Sequence, residues 1–151
     1  MSKISWKWQK FDEISGPELH QIMAVRQQVF ILEQQCVYLD ADEYDQHSFH
    51  LTGRTANGNI VAYTRVSFPR SRFTEPSIGR VLTVQGYRKR GFAQQAVKMA
   101  IRKCQDEFSA TTIRISAQVY LEDFYADIGF SVRGIPYDED GISHIDMVLE
   151  L

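Results

Sequence analysis

The sequence predicts a mixed α/β (α+β) fold, and three features carry that prediction. Residues 50–55 and 60–68 read as two strands joined by an Asn57-Gly58 turn, residues 91–108 hold apolar side chains at helical spacing, and residues 111–117 are rich in β-branched side chains. A tight hairpin before the long helix and a crossover through it require a sheet with both kinds of connection. The chain has 151 residues, 44% hydrophobic and 24% charged, which suits one domain over residues 1–151 with a continuous core.

Ile4, Trp6 and Trp8 alternate with polar residues as a first strand. Ser15, Pro17 and Glu18 supply the capping serine, early proline and reciprocal glutamate of a helix that starts near Gly16. Its apolar positions Leu19, Ile22, Met23, Val29 and Phe30 follow helical spacing, with a register that loosens around Val25, where the helix bends or ends. Residues 34–49 lose periodicity. After the hairpin, Pro69–Pro76 reads as an exposed loop, Ile78–Val84 as an apolar strand and Gln85-Gly86 as a turn. From Gly91, the residues Ala93, Ala96, Val97, Ala100, Ile101, Cys104 and Phe108 fall on one helical stripe. Thr111–Ala117 gives a strand, Leu121–Ile128 a short helix ended by Gly129, and Ile142–Leu151 a last strand.

A net charge of -2 and a pI near 6.1 exclude the global positive field that nonspecific binding to nucleic acid or an anionic membrane requires. Arg65, Arg70, Arg72, Arg80 and Arg88–Arg90 are offset by acids elsewhere, so neither nucleic acid nor membrane is an expected partner. The chain shows no signal peptide and no apolar run of bilayer length, so a cytoplasmic location with Cys36 and Cys104 as reduced thiols is expected. Asp40, Asp42, Glu43 and Asp45 lie beside His47 and His50. Tyr44 and Asp45 stand where a calcium loop needs an oxygen ligand and a glycine, and the His and Asp spacing matches no closed zinc pattern, so no metal is expected. The acidic stretch reads as a solvated loop or as an attractor for a cationic amine.

Tyr87-Arg88-Lys89-Arg90-Gly91-Phe92-Ala93 joins the strand 78–84 to the long helix. The first N–H groups of a helix have no partner within it and lie at its positive end, while Gly91 and Ala93 leave room for an anion. Arg88, Lys89 and Arg90 add positive charge. The same residues also fit a plain helix entry with a solvated basic turn. They form neither the G-x-G-x-x-G dinucleotide fingerprint nor a P-loop.

Downstream of this unit come Gln118 and the run Phe124-Tyr125-Ala126-Asp127-Ile128-Gly129-Phe130. Together with Arg88-x-x-Gly91-x-Ala93, this run resembles the GCN5-related N-acetyltransferase (GNAT) family along nearly the whole chain. Two further segments are similar to the ElaA-type branch: Arg26-x-x-Val29-Phe30-x-x-Glu33-Gln34-x-Cys36-x-Tyr38-x-Asp40, and Glu139-Asp140-Gly141-Ile142-Ser143-His144.

The resemblance implies a central, mixed, mostly antiparallel sheet, flanked by helices, with a V-shaped splay between its fourth and fifth strands. It implies acetyl-CoA as co-substrate, with Val81, Leu82 and Thr83 pairing with the pantetheine amides. Arg88, Lys89, Arg90, Gly91, Phe92, Ala93 and Gln94 would hold the pyrophosphate, and Gln118 and Tyr125 would touch the pantetheine arm. Gln118 and Leu121 depart from the asparagine and small residue common in the family. The implied acceptor site comprises Arg26, Phe30, Glu33, Asp40 and His144, with a small-molecule or peptide amine as acceptor. A homodimer stays open.

The implied reaction is acetyl transfer to a primary amine by direct attack in a ternary complex. An alkyl amine with pKa ~10.4 is protonated at neutral pH and needs a base. Glu33 and His144 are the candidate bases, although His144 also suits a structural histidine and Glu33 an ion pair. The oxyanion needs a donor, for which an N–H near Leu82 is expected, and Tyr125 is the candidate acid for the departing thiolate. Tyr125 equally suits an aromatic that packs its helix onto the sheet. The same fold with acyl-CoA as a regulatory ligand is the alternative reading.

Overall fold

The computed structural model describes residues 3–151, and its strands form two sheets that meet along one seam. Strands β1 (Ser5–Lys10), β2 (Ser48–Arg54), β3 (Ile60–Ser67) and β4 (Ser77–Thr83) pair antiparallel in sequence order. Strands β5 (Thr112–Gln118), β6 (Ser131–Glu139) and β7 (Ile142–Glu150) form the second sheet in the order β5-β7-β6, also antiparallel. The seam lies between β4 and β5, where the Arg114 N–H donates to the Pro76 carbonyl at 3.1 Å but no strand pairing follows. The V-shaped splay is this loss of pairing.

Helix α1 (Gly16–Arg26) starts as the sequence predicts. The Ser15 hydroxyl accepts from the Glu18 N–H at 3.2 Å, and the Glu18 carboxylate accepts from the Ser15 N–H at 3.1 Å. Such a box contributes about 1 kcal/mol. The loosened register near Val25 has a definite cause: α1 ends at Arg26 and the chain continues to Glu33 as a π-helix. The wider winding turns Val29 and Phe30 inward with Ile22, against Tyr63 and Leu82 on one face of the first sheet.

Helix α2 (Phe92–Phe108) covers the other face and crosses from the first sheet to the second. Its buried stripe of Ala96, Val97, Ala100 and Cys104 belongs to a core with Phe49, Val66, Ile78, Ile113, Ile115 and Met147. Helix α3 (Glu122–Ile128) adds Tyr125 to that core and ends at Gly129, whose φ of +122° takes the chain out of the helix.

Three elements differ from expectation. The β2–β3 connection is not a two-residue turn: the Thr55 N–H bonds the Asn59 carbonyl and the Gly58 N–H bonds the Thr55 carbonyl, both at 2.9 Å. Gly58, at φ +85°, fills the left-handed position of a three-residue loop, and Gly53/Arg54 carry a register shift. Residues 34–49 are not wholly irregular, because a 3₁₀ turn occupies Glu43–His47 and β2 begins at Ser48. Strand β6 is absent from the sequence reading because Gly134 and Pro136 punctuate it. It lies at the sheet edge, where proline is tolerated, and its pairing is irregular between Arg133 and Tyr137. Among the described residues no helix is long and apolar enough to cross a membrane.

Candidate active site

The splay between β4 and β5 opens a cleft of about 870 Å³. One wall is β4 with the π-helix and the segment 36–42; the other is the end of β5, α3 and the β6–β7 hairpin. The loop 87–91 and the start of α2 close its base.

That base is built for an anion. Gly91 caps α2 at φ +82° with no side chain capping the helix, and the first helical bond runs from the Gln95 N–H to the Gly91 carbonyl at 3.0 Å. The N–H groups of Phe92, Ala93 and Gln94 therefore lack helical partners, at the positive end of the dipole. Lys89 is also left-handed, at φ +64°, and alternating left-handed residues turn successive N–H groups toward one concavity. A Cβ at Gly91 would meet nothing within 4 Å, so the space above it is open.

The basic side chains divide. Lys89 lines the cleft with Gly91, Phe92, Ala93 and Gln94. Arg88 lines it too, but as a strut: its Nε donates to the Thr83 carbonyl at 2.8 Å and its Nη2 to Glu33 Oε1 at 2.7 Å. Arg90 does not line the cleft. Its guanidinium lies over the Tyr87 ring, 5.1 Å from the centroid. Of the three expected to hold pyrophosphate, only Lys89 lines the cleft without a hydrogen bond to a protein acceptor, since Arg88 is tied to Thr83 and Glu33 and Arg90 is outside the lining.

The β4 backbone has a definite parity. The Val84 N–H bonds the Val61 carbonyl at 2.9 Å and Leu82 is paired with Tyr63, so the Leu82 backbone groups face β3. Alternation turns those of Val81 and Thr83 to the open edge, and the Arg88 bond to the Thr83 carbonyl agrees. Among the N–H groups near Leu82, the one that faces the open edge is that of Val81. Leu82 itself contributes a buried side chain.

Tyr125 lines the cleft from α3 and is 7% exposed, with Phe124 and Phe130 packed edge-on against its ring. Burial pushes its hydroxyl well above the usual tyrosine range, so it keeps its proton. His144 on β7 faces the cleft beside Gln118 of β5. Its Nδ1 lies 2.8 Å from the Ile142 carbonyl, which makes Nδ1 the donor, and its Nε2 lies 3.3 Å from Glu139. Glu139 is held in turn by Arg72 at 3.1 Å. Gln118 reaches across to Gln34 at 3.4 Å, and its Oε1 is buried without a partner among the described residues. Phe30 lines the cleft from the π-helix.

Two expected acceptor residues are elsewhere. Arg26 is fully buried, donating to Asp40 at 2.8 Å and to Asp45 at 2.6 Å, and Arg65 binds Asp45 and Asp42 at 2.7 and 2.6 Å. Burial opposes ionisation of Asp45, but the hydrogen bond from Arg26 and the charges of Arg26 and Arg65 outweigh it and hold the carboxyl at about 2. Arg26 and Asp40 are therefore corrected from substrate contacts to structural partners. Asp40, Asp42 and Asp45 of the acidic stretch are paired with arginines, while Glu43 is exposed.

Residues 20–151 match the family model described as an acetyltransferase (GNAT) domain. The chain belongs to the GNAT family. It is 46% identical over 149 residues to a UPF0039 protein of Synechocystis, covering 99% of this chain and 97% of that one. It is 30% identical to ElaA of Escherichia coli over 150 residues, 98% of this chain and 97% of the relative, which places it in the ElaA-type branch. The crystal structure of ElaA superposes with a TM-score of 0.89, covering 97% of this chain and 99% of the other. An acyl-CoA N-acyltransferase of Pseudomonas aeruginosa, 28% identical, gives 0.91 over the same shares. This GNAT chain is accordingly an acyltransferase by family.

Within this GNAT cleft, Arg72 and Glu139 are side chains that the sequence reading does not single out for the site. Glu139 carried a signal, because Asp140-Gly141 reads as a turn that brings it next to His144. Arg72 carried none, since it sits in the irregular loop before β4.

Proposed function

We propose that the protein transfers an acetyl group from acetyl-CoA to the primary amine of a small-molecule or peptide acceptor, by direct attack in a ternary complex. The observation that carries this reading is the meeting of an uncapped helix N-terminus, an unpaired β4 edge, Tyr125 and His144 in one cleft. Acetyl-CoA supplies an activated thioester. The first-turn N–H groups of α2 and Lys89 bind its pyrophosphate, the Val81 and Thr83 edge and the free Gln118 Oε1 take its pantetheine amides, and the Val81 N–H donates to the oxyanion.

His144 takes the amine proton on Nε2, since Nδ1 is committed to the Ile142 carbonyl, and Glu139 stabilises the imidazolium that results. Glu33 is held by Arg88 and serves to fix the loop rather than as base. As the C–N bond forms and the C–S bond breaks, Tyr125 gives its proton to the departing sulfur. The test is free-thiol release from acetyl-CoA with putrescine, glucosamine, lysine and a short peptide with a free N-terminus, read beside thermal stabilisation by acetyl-CoA. Thiol release that depends on an amine supports transfer. Stabilisation with no release on this panel favours a non-catalytic acyl-CoA-binding module.

A further inference from the structure

The backbone of β4 breaks at one residue. Arg80 has φ +52°, and the β3–β4 register shifts between Tyr63 and Arg65 at this point. A left-handed conformation costs a residue with a Cβ roughly 1–2 kcal/mol, so the surroundings must impose it. Gly79 beside it is not left-handed, so the site does not exploit the one residue to which that conformation is free.

The surroundings are specific. Arg80 Nε lies 2.8 Å from Asp40 Oδ1, and its Nη2 donates to the Asp40 carbonyl at 2.9 Å and lies 3.3 Å from Asp42 Oδ2. The guanidinium sits over the Tyr38 ring, 5.6 Å from the centroid. Asp40 is also gripped by Arg26, and Asp42 by Arg65, so the far end of the clamp is anchored whether or not Arg80 is present. The peptide unit that Arg80 orients contains the Val81 N–H, which faces the open edge.

We propose that Arg80 is a positioning residue: its side chain, clamped by Asp40 and Asp42, holds the left-handed backbone that aims the Val81 N–H at the thioester carbonyl. This rests on the acetyl-CoA reading above. The clamp also ties the segment 36–42, on the acceptor side, to the strand that carries the reacting carbonyl.

The test is difference infrared spectroscopy of [1-¹³C]acetyl-CoA bound to the wild-type protein, Arg80→Gly, Arg80→Asn and Arg80→Lys. Glycine and asparagine accept a positive φ, so these variants can keep the fold while losing the clamp. The expected result is a carbonyl band moved to lower wavenumber in the wild type, returned most of the way to its free position in the glycine and asparagine variants, and intermediate with lysine. Acetyl-CoA affinity should stay within about threefold, while amine-dependent kcat falls on the order of a hundredfold, the scale of a small misplacement at a reacting centre. A wild-type band in either folded variant overturns the proposal and leaves the acetyl-CoA reading standing. Failure of the wild-type protein to bind the labelled thioester overturns both.

Discussion

The two walls of the cleft are built on opposite principles. Behind β4 lies a set of buried charges, Arg26 and Arg65 with Asp40 and Asp45, joined by His50 and Tyr63 and by the partly exposed Asp42, so that the wall offers backbone at a fixed place. The facing wall ends in β6, an edge strand exposed along most of its length, and offers side chains, Tyr125 and His144, over an apolar core. In the proposed reaction the difference divides the work: the first wall would position a carbonyl through main-chain N–H groups, and the second would move protons. Mutations behind the first wall should act through stability, and mutations on the second through turnover.

The largest effect should come from Asp45→Ala. It removes one partner from both Arg26 and Arg65, which keep Asp40 and Asp42, and leaves two buried guanidinium groups short of a shared carboxylate, at a cost of about 3–5 kcal/mol. Urea unfolding measures it, and a loss below about 1 kcal/mol would mean that the first wall does not depend on its charges. On the second wall, Tyr125→Phe keeps the edge-on packing with Phe124 and Phe130 and deletes only the hydroxyl. Stability and acetyl-CoA affinity should hold while kcat drops about a hundredfold. Full turnover across pH would reduce Tyr125 to a packing residue.

The cleft base allows a comparison within one loop. Gly91→Val forces a β-branched residue to φ +82° and fills open space, so acetyl-CoA affinity should fall about tenfold or more, as titration calorimetry would show. Arg90→Glu should change it by no more than about threefold, because that side chain lies over Tyr87 outside the cleft. Equal losses in the two variants would return the binding to side-chain charge.

How far the sequence revealed this follows from the range of each signal. The helix start at Ser15, the stripe of α2 and the strand–loop–helix around Gly91 were legible because each is set by residues a few positions apart. The π-helix was visible only as a slackened register, since nothing local says which way a helix relaxes. Arg26 and Asp40 could not be read as structural partners, because their contacts with Asp45 and Arg80 span elements that only the folded sheet brings together. Arg90 and Arg88 look alike in sequence, and only the position of Glu33 and of the Tyr87 ring separates them.

The smallest effect sharpens the contrast by pH. His50 is fully buried, with Nε2 bonded to the Asp45 carbonyl at 2.9 Å and Nδ1 2.6 Å from the Tyr63 hydroxyl. If Nε2–H donates to that carbonyl, Nδ1 must accept from Tyr63, and the ring is neutral. Burial lowers its pKa below the ordinary histidine value, with the charges of Arg26 and Arg65 adding to the shift. In the unfolded chain the ring takes a proton as pH falls through ~6.5, whereas in the fold it does so only at lower pH. Between those two values the unfolded state binds more protons, so the stability contributed by neutral His50 is present above the unfolded pKa and is lost as pH falls toward the folded one. The slope is at most about 1.4 kcal/mol per pH unit. Urea midpoints at pH 7 and pH 5.5 should differ in that direction, and His50→Gln should flatten that part of the difference. An unchanged slope in His50→Gln would assign the acid sensitivity to other groups and remove His50 from the charge balance behind the first wall.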